Sequence, residues 1–176
     1  MGSIISALKF EAYKIDEVNF EMQKIVELLQ FKGVIDPESW KLDIKIRNPF
    51  FIKKDKKYIG GIQTSLWLEP EKDETSEGEK HTNEGQPDSE QDKKPNFLIK
   101  CNIGITGIFS VEEGRFKKET ENDLVKLQIP TILFPYIRTT ITSLLANAGF
   151  GSIILPLINI QEVARRTANL EVQVLE

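Results

Sequence analysis

One cysteine, Cys101, and one histidine, His81, are all that this 176-residue chain has of the two side chains that most often build metal and nucleophile sites. A lone cysteine cannot close an intrachain disulfide, which fits a reducing compartment. No Cys/His zinc cluster can be assembled, and a nucleophile paired with an imidazole would need His81, which lies in the most polar stretch of the chain. Carboxylates are plentiful, but there is no spaced pair in an apolar setting, no glycine-rich phosphate loop and no HExxH. The expectation is a protein that is not an enzyme and has no catalytic residue, no metal and no cofactor. Long apolar runs are also missing: nothing approaches the roughly 20 residues needed to cross a bilayer. The opening MGSIISALKFEAYK has neither a basic start nor a cleavage site, so a cytoplasmic protein without direct membrane insertion is expected. A basic excess is lacking too, with 23 Lys and Arg against 27 Asp and Glu, which argues against nucleic acid as a partner.

What is present is an ordinary soluble composition, 40% hydrophobic and 28% charged, sized for one domain over residues 1–176. Its sharpest break is at about 69–96, EPEKDETSEGEKHTNEGQPDSEQDKKPN, with ten acidic side chains, four lysines and no large apolar residue. Such a segment cannot bury enough surface to offset the entropy of ordering, so it is expected to be a disordered insertion, either a solvated linker or an acidic arm for a partner.

Around it the hydrophobic period changes twice. Leu8, Phe10, Ala12, Val18 and Phe20 alternate through a half-buried strand with an irregularity at Ile15 to Glu17, where a bulge is expected. Met22, Ile25, Val26, Leu28 and Leu29 have helical spacing, with Gly33 as a possible stop. Trp40, Leu42, Ile44 and Ile46 alternate strictly with Lys41, Asp43, Lys45 and Arg47, and Tyr58 to Leu68 repeats the pattern after a turn at Asp55 to Lys57. Phe97 to Val111 reads as a fourth strand, with Gly104 and Gly107 where side chains would crowd a close neighbour. From Ile132 to Ala148 the spacing becomes three and four, predicting an amphipathic helix with Pro130 and Pro135 at or near its first turn and Gly149 as its stop. A broken apolar segment, FGSIILPLINI, leads to a last helix capped by Asn159. The fold class is therefore α+β, a four-stranded antiparallel sheet followed by two helices.

Three stretches in order, GIFS at 107–110, PTILFPYIR at 130–138 and GFGSIILPLIN at 149–159, resemble the SecB family, whose pattern reads approximately GIF, PxxLFPYxR and GxFPxLxLxPVN. LKFEAYKIDEVNFE at 8–21 resembles the family's first strand. The resemblance implies a four-stranded antiparallel sheet with two helices, assembled as a homotetramer (dimer of dimers). Its apolar grooves would hold unfolded client polypeptides without ATP, for protein export through the SecA motor.

Carried over by motif position, Leu42, Ile44 and Ile46 would line the client groove with Phe150, Ile153, Leu155 and Leu157, the alternative being plain core. Glu17 and Glu21 would contact the motor, the alternative being solvated strand charges, and Cys101, Ile103, Ile105, Ile137, Ile141 and Leu144 would form the oligomer interface, the alternative being the core of a monomer. Arg138 is expected to make a structural ion pair. Asn102 stands where the family often has an acidic residue, which keeps open a second duty, a SecB-like chaperone dedicated to an antitoxin in a toxin, antitoxin and chaperone module. A structural oligomer without clients is the remaining option.

Overall fold

The computed structural model describes residues 7–23, 39–69, 97–150 and 155–176. Among these, β1 (Leu8–Met22), β2 (Trp40–Ile52), β3 (Lys57–Leu68) and β4 (Ile99–Val111) precede α1 (Lys118–Asn147), α2 (Ile160–Arg166) and β5 (Gln173–Leu175). Of the expected helix from Met22 to Phe31, Met22 closes β1 and the Gln23 N–H donates to the Leu98 carbonyl at 2.9 Å, while residues 24–31 lie outside the described ones, as do 70–96 of the acidic insertion.

The sheet runs β1-β4-β3-β2-β5. The first four strands pair antiparallel, as the alternation predicts, with a register shift between Ile15 and Glu17 where the irregularity lies. Two features depart from the expectation. The sheet has five strands and is mixed, because β5 pairs parallel with β2 through Phe50↔Gln173, Phe51↔Val174 and Ile52↔Leu175. Three residues with exposed side chains leave no periodicity to detect, since only backbone pairing defines them.

The second departure is the length of α1, thirty residues beginning at Lys118, with Pro130 and Pro135 inside it and not at its start. The first turns are charged and were hidden from an apolar pattern. Glu119 and Glu121 there suit the positive end of the helix dipole. Lys118 lies 3.7 Å from the centroid of the Phe51 ring and donates to the Tyr58 hydroxyl oxygen at 2.6 Å, while that hydroxyl donates to Glu121. Burial, with the Glu121 bond added, raises the Tyr58 hydroxyl well above its ordinary value, so it stays protonated as a donor. Each proline removes one intrahelical N–H. Beside the first, the Thr131 hydroxyl donates to the Leu127 carbonyl at 2.7 Å.

Val125, Ile129, Leu133, Ile137, Ile141 and Leu145 form one buried stripe on α1, facing Tyr58, Ile62, Leu66, Cys101, Ile103, Ile105 and Phe109 of β3 and β4. The helix lies close because Gly60 and Gly107, partners across β3 and β4, carry no side chain beneath it. A Cβ on Gly60 would sit 2.8 Å from Ile129 Cγ2, and one on Gly107 would sit 3.0 Å from Leu133 Cδ2. α1 packs mainly on the two central strands, which leaves the helix-side faces of β1 and β2 less covered.

Candidate functional site

That uneven cover decides which apolar side chains solvent can reach. On β2, Leu42, Ile44 and Ile46 are half-buried, as is Trp40, while Lys41, Asp43 and Lys45 on the opposite face are exposed. After α1, Phe150 is half-buried against the Phe20 ring, with centroids 6.4 Å apart. Leu157 is 88% exposed and lines a 310 Å³ hollow with Phe134, Pro135 and Arg138 of α1. Leu42 lines a different hollow, of 530 Å³, with Trp67, Phe97 and Lys100. The two hollows are separate, and the one beside Leu42 also carries the charged Asp43, Glu69 and Lys100.

Leu155 is a correction to the expected groove. At 3% exposure its side chain belongs to the core, and its carbonyl accepts from the Arg138 guanidinium at 3.1 Å. That bond also revises the expected role of Arg138, which ties the segment to α1 through a backbone oxygen and not through a carboxylate. Ile153 lies outside the described residues.

The residues expected at an oligomer interface are likewise spent within the chain. Cys101, Ile103, Ile105, Ile137 and Ile141 are all 0% exposed, filling the space between sheet and α1, and only Leu144 is half-buried. A side chain with no exposed area has none to offer a second copy. Burial pushes the Cys101 thiol up to about 11, so it is an unreactive packing group. The exposed apolar row lies elsewhere, on the helix-side face of β1: Tyr13 45%, Ile15 42%, Val18 58% and Met22 49%.

The other face of the sheet is polar. Arg47 of β2 lies across β3 and β4 and bonds to Asp16 at 2.7 Å and Glu17 at 3.4 Å, both at the irregularity of β1. Thr106 donates to Asp16 at 2.6 Å, and Gln63 donates to both oxygens of Glu17 at 2.9 Å. Two glycines make room: a Cβ on Gly104 would be 2.5 Å from the guanidinium, and one on Gly61 would be 3.2 Å from Arg47 Cδ. Glu17 is thus held inside the chain, while Glu21 accepts from Asn19 at 2.9 Å and is exposed. Arg47 was visible in the sequence only as one more cation in an alternating strand, since the register that carries it over two glycines spans three strands.

Partial burial opposes ionisation of Asp16, but the bonds from Thr106 and Arg47 outweigh it and hold the carboxyl below its ordinary 3.8. A depressed folded value means that this contribution is complete above the unfolded value and is lost as pH falls through the folded one. Asp16→Asn should therefore cost about 1–2 kcal/mol at pH 7 and flatten the acid limb of stability below about pH 4. Urea midpoints measured at pH 7 and pH 3 check this, and parallel acid limbs for the two proteins would contradict it.

Among the described residues no group of three or more His, Cys, Asp or Glu side chains is placed to hold a metal ion, and no helix is long and apolar enough to cross a membrane.

Comparison with known proteins gives a consistent result. Residues 76–169 match the family model described as preprotein translocase subunit SecB. The protein-export protein SecB of Anaplasma phagocytophilum is 36% identical over 72 residues, covering 39% of this chain and 42% of the relative. That of Anaplasma marginale is 31% identical over 70 residues, covering 40% and 38%. The matched stretch thus spans about two fifths of the length of these relatives. A solved SecB-like chaperone of Mycobacterium tuberculosis, in complex with a peptide from an antitoxin, superposes with a TM-score of 0.54 at 11% identity, covering 86% of this chain and 91% of that one.

Proposed function

Because the chain belongs to the SecB family, we propose that it is an ATP-independent chaperone that holds extended stretches of unfolded polypeptide for protein export, working in the cytoplasm without a chemical step of its own. The observation that carries this reading is apolar surface left uncovered on an otherwise well-packed chain: Leu42, Ile44 and Ile46 half-buried on β2 and Leu157 88% exposed after α1. Contacts of this kind are tolerant of sequence, contributing roughly 25 cal/mol per Å² of apolar area buried, and several weak sites on one assembly reinforce each other through effective concentration. Phe150, half-buried against Phe20 of β1, adds apolar surface toward the opposite edge of the sheet.

The open row on β1 supports assembly with further copies, as a dimer of dimers, since isolated monomers rarely leave so much contiguous apolar strand face to water. In a light-scattering and aggregation experiment the protein should have about four times the 20.1 kDa mass of one chain. It should also delay aggregation of a slow-folding protein without ATP at near-stoichiometric ratios. A 20.1 kDa particle with no effect on aggregation would overturn both statements.

The engagement of Glu17 by Arg47 and Gln63 favours a second reading alongside the first. A carboxylate already bonded to Arg47 and Gln63 has less to offer the SecA motor, and Asn102 adds no charge beside it. A chaperone dedicated to the exposed tail of an antitoxin needs no such docking. It would prefer that one partner, and broad protection of many unfolded proteins would count against it.

A further inference from the structure

β5 occupies the outer edge of the sheet with very little holding it there. Gln173, Val174 and Leu175 are all exposed, Val174 at 53% and Leu175 at 46%, so about half of each apolar side chain stays in water, and the nearest core contact is made by Val172 just before the strand. Its attachment is backbone pairing to Phe50, Phe51 and Ile52, which includes the Lys53 N–H donating to the Leu175 carbonyl at 3.1 Å. Just before it, the Glu171 N–H donates to the Asn48 side-chain oxygen at 3.3 Å. An ion pair near it, Lys53 with Glu176 at 3.6 Å, is 57% and 96% exposed and adds little. Segments with few buried contacts and solvent-exposed hydrogen bonds open at small cost.

The edge beneath β5 belongs to the same strand that carries the uncovered row Leu42, Ile44 and Ile46. No described strand pairs with the outer edge of β2 from Trp40 to Arg47, and the register shift between Arg47 and Phe50, with Pro49 lacking an N–H, separates that stretch from the seat of β5. An extended polypeptide resting on the β2 row therefore runs toward a seat that already accepts a strand. Main-chain pairing at a sheet edge is indifferent to side-chain identity, which suits an occupant of varied sequence.

We infer that Gln173–Leu175 is a resident stand-in for a client: the Phe50–Ile52 edge receives a segment of an unfolded polypeptide as an added strand, and β5 must leave for it. This rests on the polypeptide-holding reading and adds to it a competitor within the chain. A tethered strand competes at an effective concentration in the millimolar range, so even a weak one lowers apparent client affinity.

Two opposite perturbations test it, read as the affinity for fluorescently labelled, reduced and carboxymethylated α-lactalbumin, a permanently unfolded probe. Gln173→Pro with Leu175→Pro removes the two N–H donors of β5 that face β2 in this parallel register and should tighten binding about three- to tenfold. Ile52→Cys with Leu175→Cys places two thiols on directly paired residues, neighbouring strands being about 4.8 Å apart. Once oxidised, this variant should bind at least about threefold more weakly, with recovery on reduction. Equal affinities for the wild type, the proline variant and both redox forms would overturn the inference and leave the holding reading standing, as would weaker binding by the proline variant. No binding by the wild type would instead bring down the holding reading, and this inference with it.

Discussion

Valine at both Gly60 and Gly107 should destabilise the fold by about 5 kcal/mol. The two positions face α1 from paired sites on the central strands, and the added Cβ atoms would lie 2.8 Å from Ile129 Cγ2 and 3.0 Å from Leu133 Cδ2. Neither neighbour has room to retreat, since Ile129 is 1% and Leu133 0% exposed at the centre of the buried stripe. The Gly107 substitution would also press within 2.8 Å of the Phe109 ring. Overpacking costs about 1–3 kcal/mol per added group, and valine brings two further methyls at each site. A total near 5 kcal/mol equals the lower end of the 5–15 kcal/mol typical of a domain. Gly114 makes the contrast: it has φ +74 with nothing within 4 Å of a built Cβ. Gly114→Ala should cost only the backbone preference, about 1–2 kcal/mol. Urea denaturation followed by circular dichroism reads both, and a double valine variant with a midpoint close to wild type would show that α1 does not rest on these glycines.

Aspartate at Leu157 should weaken client binding sharply while leaving the fold intact, and the same change two residues earlier should do the opposite. Leu157 is 88% exposed, so a charge there disturbs nothing in the folded chain, yet it removes an apolar contact that a bound polypeptide would cover. Losing a leucine-sized contact is worth about 2 kcal/mol, or roughly 30-fold in affinity. Adding Ile44→Asp on β2 should bring the loss to at least about 100-fold, at some cost in stability because Ile44 packs partly against the core. Leu155 is 3% exposed, and a carboxylate there would be buried without a partner. Leu155→Asp should therefore lower the unfolding free energy by several kcal/mol, and any loss of binding would follow from unfolding. Titration of the labelled unfolded probe beside thermal melts separates these effects. Unchanged affinity in Leu157→Asp would remove the segment after α1 from the client surface.

The Leu155 and Leu157 contrast shows where sequence reading ended. Both stand in one apolar run broken by Pro156, and nothing local distinguishes the residue that fills the core from the one left in water. The bond from Arg138 to the Leu155 carbonyl and the packing of α2 decide it. Glu17 follows the same rule. As a strand carboxylate it could face a partner, but Arg47 reaches it across two intervening strands.

Period-two alternation by itself determined the four long strands and the bulge near Ile15, because side chains in a strand must take turns facing core and water. The motif order from Gly107 to Asn159 determined the family. Only the tertiary structure decided that α1 begins at Lys118, that Cys101, Ile103 and Ile105 are used up inside one chain, and that residues 173–175 close the edge of the sheet. The physical reason is common to all three. Each depends on which groups from distant parts of the chain meet, and a pattern along one strand or helix states which face is apolar but not how much of that face its neighbours cover.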